Sequence, residues 1–287
     1  MSQVVAVTGV GSPTGQALLK VLNSSGTSTI CISSNQSNNK SNSLFADISN
    51  PKSALNLFSK ATPDTVVHLG HQPISFYGLD RKQYVASNLT FCSNLVKSAA
   101  VAGASRFIFA SSSSLYGDKN TSPSSETSEI HIHNPYAEMK FKCENELKRA
   151  SQLYGIETVS LRVFNIFGPG LENSLINKLI LPVSNNPINL FGPKNFVRDY
   201  IHVSDVASSF MAAIETKTKL PDVLNLGTGI ATSNQDLIEL LPKRIQKKIS
   251  IVQSADSFSV ADTKLSSRHL TKSIHSVDDF ILSSFDS

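Results

Sequence analysis

A tyrosine and a lysine four residues apart form a pair whose side chains could do chemistry together. Tyr136 and Lys140 belong to a segment whose pattern predicts a helix over residues 135–154. Residues four apart lie on the same face of a helix. A nearby ammonium group favours the phenolate form of a tyrosine, so such a pair can take a proton from a sugar or alcohol hydroxyl. On its own, the spacing is also typical of an ordinary helical pair.

A run of hydroxyl side chains precedes this helix. Residues 110–117 read A-S-S-S-S-L-Y-G and follow a strand predicted over residues 106–110. In open parallel sheets, ligands bind beyond the carboxyl ends of the strands. A serine at this strand end could therefore hydrogen-bond the same substrate oxygen as the tyrosine.

A third candidate is the turn T-G-V-G-S-P-T-G at residues 8–15, which follows the first apolar run. Gly9 ends a predicted strand and Gly15 opens a predicted helix, which is the context of a nucleotide-binding turn. The free N–H groups of a helix N-terminus can bind a pyrophosphate. Ser12 stands where a middle glycine is expected, and Pro13 is typical of an early helical position. Similar turns occur in other α/β proteins, so this turn alone is weak evidence.

The elements that must position these residues alternate along the first half of the chain. Apolar, β-branched runs predict strands over residues 4–8, 29–33, 66–69, 106–110 and 157–163. Helical periodicity predicts helices over residues 15–23, 51–61, 84–102 and 135–154. This order predicts an α/β fold with a Rossmann-type, doubly wound parallel sheet. We expect a dinucleotide-binding domain over residues 1–168 and a smaller C-terminal α/β substrate-binding region over residues 169–287. Some segments of that region are expected to return to the first domain.

Composition narrows the function classes. The chain has 287 residues, is 40% hydrophobic and carries a net charge of +4, with its basic residues scattered. We therefore expect no nucleic-acid partner, whereas a phosphorylated small molecule suits the charge. The three cysteines show no metal-ligand spacing, so we expect no metal site. The sequence shows no signal peptide and no apolar run of membrane-spanning length, so we expect a cytoplasmic protein without a membrane partner.

Taken together, the motifs resemble the extended short-chain dehydrogenase/reductase family, in its NAD-dependent epimerase/dehydratase branch of nucleotide-sugar epimerases, dehydratases and ketoreductases. The resemblance covers nearly the whole chain. It is carried by the glycine turn, the strand-end serines and the Tyr-x-x-x-Lys pair. It is also carried by Asp47-Ile48, His68-Leu69-Gly70-His71, Asn88, the stretch L-R-V-F-N-I-F-G-P at 161–169, R-D-Y-I-H-V-S-D-V at 198–206, N-L-G-T-G at 225–229, and Ala261-Asp262.

The resemblance implies a role for each matching residue. The catalytic residues would be Ser112, Tyr136 and Lys140. The cofactor, NAD or NADP, would be bound by Tyr136, Lys140, Gly9, Ser12, Pro13, Thr14, Gly15, Ser33, Ser34, Asp47, Ile48, Leu69, Gly70 and Asn88. The nucleotide-sugar substrate would contact His71, Ser112, Asn165 and Arg198. Members of the family often form homodimers through two long helices, which match residues 84–102 and 135–154.

The sequence departs from the family pattern at places that bear on the reaction. Dehydratases carry Asp-Glu directly after the catalytic hydroxyl, where this chain has Ser113 and Ser114. A dehydratase is therefore set aside. NAD-preferring members end the second strand with an acidic residue, where this chain has Ser33 and Ser34. No carboxylate repels a 2′-phosphate there, and Lys40 could reach one, so NADP stays open.

Three hypotheses follow. The first is an NAD(P)-dependent nucleotide-sugar 4-epimerase, with hydride transfer at C4 of a nucleotide-activated hexose and Tyr136 as the acid/base. The second is an NADPH-dependent nucleotide 4-keto-6-deoxysugar reductase. It is favoured by Ser33 and by the lack of the late arginine of many epimerases, since Val252 and Gln253 stand there. The third is a non-catalytic NAD(P)-binding protein, favoured by Ser12 and His71.

Overall fold

Strands and helices alternate in the computed structural model, which describes residues 3–33, 43–45, 47–181, 187–192, 194–252 and 256–285. The strands are β1 (Val4–Thr8), β2 (Ser28–Ser33), β3 (Ser43–Phe45), β4 (Thr65–His68), β5 (Arg106–Ser112), β6 (Glu157–Val163), β7 (Asn165–Phe167), β8 (Ile188–Phe191), β9 (Phe196–Arg198), β10 (Tyr200–His202), β11 (Val223–Leu226), β12 (Thr232–Ser233), β13 (Ile249–Val252) and β14 (Ser257–Ser259). The α-helices are α1 (Pro13–Ser24), α2 (Pro51–Ala61), α3 (Arg81–Val101), α4 (Pro135–Tyr154), α5 (Leu175–Ile180), α6 (Val203–Glu215), α7 (Asn234–Leu240), α8 (Lys243–Gln246) and α9 (Val277–Ser283). Short 3-10 helices span Ile74–Tyr77, Ser113–Tyr116 and Ser266–Arg268.

Among the described residues, the main sheet has seven parallel strands in the order β11-β6-β5-β4-β1-β2-β3. The predicted Rossmann-type parallel sheet is thereby confirmed. Strand β11 comes from the chain beyond residue 168 and pairs with β6 at the edge of the sheet. Thr8 at the end of β1 pairs with His68 at the end of β4, and His68 pairs with Phe109 of β5. The carboxyl ends of the three strands therefore lie side by side.

Both faces of this sheet are buried, as the nearly continuous apolar strands predict. Successive strand residues point to opposite faces. Val5 and Val7 of β1 pack with α1 and α6, in a cluster that includes Leu18 and Phe210. Ala6, between them, packs on the other face with residues of α2, α3 and α4. The helices therefore cover the sheet on both sides and leave its carboxyl edge as the place for a ligand.

Two helices, α1 and α3, and two strands, β2 and β5, are longer than the sequence pattern predicted. Helix α1 begins at Pro13, because Ser12 caps it, and α3 begins at Arg81, because Asp80 caps it through a hydrogen bond from Gln83 N (3.0 Å). Periodicity of apolar residues does not detect a polar first turn. Strand β5 continues to Ser112, which pairs with Val163 of β6.

Strand β7 and the chain beyond residue 168 form smaller sheets beside the main one. β7 pairs with β10, β8 with β13, and β9 with β12 and β14. The sheets β7-β10 and β8-β13 share a core that contains Phe167, Leu190, Leu237 and Ile281. Most elements of this region are shorter and less regularly ordered than those of the first.

Strands β1 and β4 approach each other closely at their ends. A Cβ atom at Gly9 would lie 2.5 Å from Gly70 N and 2.7 Å from Gly70 Cα. Gly9 also has a φ of +74°, in the left-handed region that side chains disfavour. A Cβ at Gly15 would lie 2.4 Å from Gly9 O, so α1 packs directly on the turn. Only glycine allows this packing at both positions.

We expect Gly9→Ala to destabilise the protein more than Gly26→Ala. Gly26 has a similar φ of +70°, but a Cβ there meets no atom within 4 Å. The Gly26 variant should lose about 1–2 kcal/mol through backbone strain alone, and the Gly9 variant about 2–3 kcal/mol more through the clash. Urea unfolding of both variants measures the difference. Equal losses of unfolding free energy in the two variants would show that the space between Gly9 and Gly70 can accommodate a methyl group.

Candidate functional site

The turn between β1 and α1 presents backbone groups to the carboxyl edge of the sheet. Ser12 Oγ accepts a hydrogen bond from Gly15 N (3.1 Å) and donates one to Gly9 O (2.8 Å). The serine that replaces the expected glycine thus stabilises the turn. In the described part of the chain, the N–H groups of Gly11 and Thr14 have no acceptor. Free N–H groups at a helix N-terminus suit a pyrophosphate.

A cleft of about 240 Å³ opens beside this turn. Five residues predicted to bind cofactor or substrate contribute to its lining: Gly9, Asp47, Ile48, Gly70 and His71. Asp47 is exposed, and its Oδ1 accepts hydrogen bonds from the N–H and the hydroxyl two residues later. Ile48 is buried beside it. The cleft therefore joins an apolar wall, one carboxylate and the glycine turn.

Two residues predicted to contact the cofactor lie behind this cleft. Leu69 is buried in the core of the sheet. Asn88 is also buried, and its amide is fully used by the backbone. Its Oδ1 accepts from Gln72 N (2.8 Å), and its Nδ2 donates to Gln72 O (3.1 Å) and Tyr84 O (3.0 Å). Asn88 thus holds the loop that follows β4 against α3.

Helix α4 brings the tyrosine and the lysine to the end of β5. Lys140 is only 2% exposed, and its Nζ donates a hydrogen bond to Ala110 O at 2.6 Å. The same Nζ lies 5.5 Å from the ring centroid of Tyr136, which is half-buried. Ser112 follows two residues after Ala110, and its Oγ accepts a hydrogen bond from the N–H of residue 114 (3.2 Å). One helix face and one strand end therefore hold the phenol, the ammonium and the hydroxyl.

Burial and the Lys140 charge keep two nearby imidazoles neutral. Burial, and then Lys140, lowers the pKa of His68 to about 3, and His68 Nδ1 lies 2.6 Å from Thr8 Oγ1. The His71 ring lies 5.3 Å from the Tyr136 ring, between centroids. Part of this ring is open to solvent, yet desolvation by the cleft walls and the Lys140 charge lower its pKa to about 4. At neutral pH, His71 is therefore a neutral donor or acceptor beside the tyrosine.

Asn165 and Arg198 lie in the smaller sheets. Asn165 Nδ2 donates to Asp199 O at 3.0 Å. The Arg198 guanidinium lies 3.9 Å from the ring centroid of Phe196, and one amino group donates to Ser257 Oγ at 2.7 Å. Desolvation lowers the pKa of Arg198. Within the described ranges, Arg198 has no carboxylate at ion-pair distance, so its charge is open to an anionic ligand.

Asp199 connects this region to two further segments. Its side chain is fully buried and accepts four hydrogen bonds: from Thr228 N (2.8 Å), Thr228 Oγ1 (2.6 Å), Gly229 N (2.8 Å) and Ala261 N (3.2 Å). Burial raises the pKa of this carboxyl group, and the four donors oppose the rise. The residue holds loops together and lies between the two predicted substrate contacts.

Sequence reasoning missed several residues of the site. Gln72, Phe91 and Leu95 contribute to the cleft lining. Leu95 belongs to the apolar stripe of α3, which by itself indicates only burial. Glu144 and Arg162 form a buried ion pair behind α4. Glu144 lies four residues after Lys140. This spacing places it on the same face of α4 and could have indicated its position near the site.

Some of the predicted cofactor contacts lie at the end of a described range or outside the described residues. Ser33 ends β2, where its backbone pairs with Phe45 of β3, and Ser34 lies outside the described residues, as does Lys40. Within residues 3–33, 43–45, 47–181, 187–192, 194–252 and 256–285, no three His, Cys, Asp or Glu side chains could together hold a metal ion. In the same ranges, no helix is long and apolar enough to cross a membrane.

Comparison with known proteins identifies a family that the chain matches. The model of the NAD dependent epimerase/dehydratase family matches residues 5–227. The chain is 26% identical over 233 residues to UDP-glucose 4-epimerase 3 of Oryza sativa, a match that covers 72% of this chain and 62% of that protein. It is 28% identical over 205 residues to dTDP-4-dehydro-6-deoxyglucose reductase of Escherichia coli, covering 68% of this chain and 63% of that one. The matches thus span less than two thirds of each relative.

The fold has counterparts among solved structures. UDP-glucose 4-epimerase of Thermotoga maritima, solved with UDP-glucose, superposes with a TM-score of 0.84 and covers 99% of this chain and 98% of its own. Its sequence identity is 24%. The likeness supports the fold along nearly the whole chain.

We expect the stability of the protein to fall as pH decreases from 6.5 towards 3, in part because of His68. Its pKa is about 3 in the folded chain and 6.5 when unperturbed. The unfolded chain therefore binds a proton in this range that the folded chain does not. The contribution is complete above pH 6.5 and should decrease by about 2 kcal/mol between pH 7 and pH 5.

Urea unfolding at pH 7 and pH 5 measures this loss in the wild type, in His68→Asn and in His133→Asn. The His68 variant should lose less stability on acidification than the wild type. The His133 variant is a control, because that residue is exposed. An unchanged pH dependence in the His68 variant would contradict the assignment.

Proposed function

The chain belongs to the NAD dependent epimerase/dehydratase family, and on this premise we propose that it is a nucleotide-sugar 4-epimerase that uses NAD. The observation that carries the proposal is the group formed by Tyr136, Lys140 and the end of β5 at Ser112. A proton acceptor for a sugar hydroxyl and a strand-end hydroxyl are thereby held beside a turn that suits a dinucleotide. The rice relative, named as a UDP-glucose 4-epimerase, supports the choice of reaction.

NAD fits the residues that are present. The free N–H groups of Gly11 and Thr14 suit its pyrophosphate, and Gly9 lets the turn pack closely against Gly70. Asp47 and Ile48 would hold the adenine end in the cleft. When bound, the nicotinamide supplies hydride chemistry at C4 of the sugar.

The side chains of the chain itself would handle the proton at the C4 oxygen. We assign Tyr136 as the acid/base that takes the proton from the C4 hydroxyl and returns it to the same oxygen. Ser112 would share the hydrogen bond to that oxygen. Lys140 would stabilise the phenolate and contact the ribose of the cofactor. His71, neutral at pH 7, would hydrogen-bond the sugar from the solvent side of Tyr136.

Asn165 and Arg198 are assigned to the nucleotide part of the substrate. A guanidinium without a carboxylate partner in the described residues can form a bidentate pair with two oxygens of a diphosphate. The guanidinium stacks on the Phe196 ring, and this contact fixes the direction in which its N–H groups point. Asn165 donates a hydrogen bond to the backbone oxygen of Asp199, the residue that follows Arg198.

The proposal is tested with purified protein and no added cofactor, by chromatography of UDP-hexoses after incubation. We expect interconversion of a C4-epimeric pair, and release of NAD on denaturation. Tyr136→Phe should reduce kcat by about 10²–10⁴-fold, because the acid/base is lost. Tyr154→Phe is the matched control, since that tyrosine is exposed at the far end of the same helix and should leave kcat unchanged.

Two results would overturn the epimerase. Oxidation of NADPH with a 4-keto-6-deoxyhexose nucleotide, without interconversion of any UDP-hexose, would identify a ketoreductase, as the Escherichia coli relative is named. Activity in neither assay, with Tyr136→Phe indistinguishable from the wild type in cofactor binding, would identify a non-catalytic protein.

A homodimer through α3 and α4 is part of the proposal. The two helices pack side by side on the outside of the sheet. Charges on them are already paired within the chain, as Arg81 with Glu138 (2.7 Å) and Arg149 with Glu146 (2.7 Å). Burial of this face would therefore leave few isolated charges. Ala86 and Thr90, both exposed and small, would let a second pair of helices approach.

We expect light scattering to give about twice the chain mass of 31.0 kDa. Ala86→Arg combined with Thr90→Arg should yield a monomer, because two added charges would be buried in the interface. Ile230→Arg, at a residue 64% exposed in the smaller region, is the control and should stay dimeric. A wild-type monomer, or a dimer that survives the double substitution, would contradict this interface.

A further inference from the structure

A buried ion pair behind α4 has no part in the chemistry described so far. Glu144 of α4 is 8% exposed and Arg162 of β6 is 5% exposed. Arg162 donates through Nε to Oε1 (3.0 Å) and through a terminal amino group to Oε2 (2.7 Å). Replacing a buried pair with apolar side chains is often neutral or stabilising, because desolvation offsets the attraction. Its presence therefore calls for a reason besides stability.

The hydrogen bonds of the pair lead to both ends of the segment that contains Ser112. Ser111 Oγ donates to Glu144 Oε1. Arg162 donates to the hydroxyl of Tyr116 at 2.9 Å, and Tyr116 donates in turn to Asn225 Oδ1 at 2.7 Å. Burial raises the pKa of Tyr116 to about 12, so its hydroxyl stays a donor. Residues on both sides of Ser112 are thereby held.

The network begins on the same face of α4 that carries Tyr136 and Lys140. Glu144 lies one helical turn after Lys140 and two turns after Tyr136, so the three share one face of α4. Lys140 bonds Ala110 O, and Glu144 bonds the next residue of β5, Ser111. Two turns of the helix thus hold the two strand residues that directly precede Ser112.

We propose that Glu144, Arg162 and Ser111 are positioning residues that set the separation between the Ser112 hydroxyl and the Tyr136 phenol. The inference rests on the proposed function, because the separation matters for a proton shared at one substrate oxygen. A bidentate guanidinium–carboxylate pair fixes both distance and angle, which an apolar contact does not. A displacement of about 1 Å at a reacting group can cost about 10²-fold in rate.

The protein contains a matched control pair on the same two strands. Arg106 and Glu157 are the first residues of β5 and β6, at the opposite end of the sheet. Arg106 is 7% exposed and donates to Glu157 Oε2 through Nε (3.0 Å) and through a terminal amino group (2.9 Å). Loss of this pair should affect stability without reaching the site.

The experiment compares two charge-neutral double variants and one single variant. Glu144→Gln with Arg162→Gln removes the positioning pair, and Arg106→Gln with Glu157→Gln removes the control pair. Ser111→Ala removes only the hydrogen bond beside Ser112, so it tests the proposal even if a double variant fails to fold. Urea unfolding, bound NAD, kcat and KM are measured for each folded protein.

We expect Ser111→Ala and the Glu144/Arg162 variant to retain NAD and KM while kcat falls by about 10–100-fold. The Arg106/Glu157 variant should lose stability but keep kcat within about twofold. Equal kcat values in Ser111→Ala and the wild type would overturn the proposal. So would a fall in kcat of the control pair as large as that of the positioning pair.

A second readout does not need turnover. With 3-fluorotyrosine incorporated, the ¹⁹F resonance assigned to Tyr136 by its loss in Tyr136→Phe reports how uniquely that ring is held. We expect one narrow line in the wild type and in the control pair, and a broadened or doubled line in the Glu144/Arg162 variant. An identical narrow line in all three would overturn positioning. An inactive wild type that still shows the expected pattern would overturn the epimerase alone.

Discussion

Every group of the candidate site depends on one constraint, which is that neighbouring parallel strands end at the same edge of the sheet. The ends of β1, β4 and β5 are adjacent by register, so the glycine turn, the loop after His68 and the serines after Phe109 meet there. The meeting is close because Gly9 and Gly70 have no side chains between them. Helices on both faces leave this edge as the free side of the sheet. The ligand cleft is thus a consequence of strand order and crossover connections.

A second constraint joins the smaller region to this edge. Burying the carboxyl group of Asp199 costs free energy unless hydrogen-bond donors surround it. Four donors from residues 228, 229 and 261 surround this group. The loops that carry them are therefore held against the strand that begins at Tyr200. Asn165, a proposed substrate contact, donates to the backbone oxygen of Asp199, and Arg198 directly precedes it in the chain. A buried carboxylate thereby helps to hold the backbone that carries both proposed contacts.

Electrostatics at the site are organised by one buried cation. Lys140 is held on Ala110 O and changes the behaviour of both neighbouring imidazoles, since its charge adds to desolvation in lowering their pKa values. The neutral His71 is then compatible with the role proposed for Tyr136, which is to take and return a proton. The Glu144–Arg162 pair lies one turn deeper and carries no net charge. It can hold the helix in place without adding to the field of the lysine.

The sequence by itself determined the class of fold and which residues stand at the ends of strands and on one helix face. Strand and helix periods differ, so β1, β5 and α4 could be recognised locally, and Tyr136 and Lys140 share a helix face by spacing alone. Other features needed the tertiary structure, because they arise between segments far apart in the chain. The hydrogen bonds of the Asn88 amide to the backbone of Gln72 join residues 16 apart in the chain. Ser12 looked like a defect in the glycine turn, but its hydroxyl stabilises that turn. The bond between Ser111 and Glu144 spans 33 residues, and no local period encodes such a contact, because it exists only once α4 has packed on the sheet.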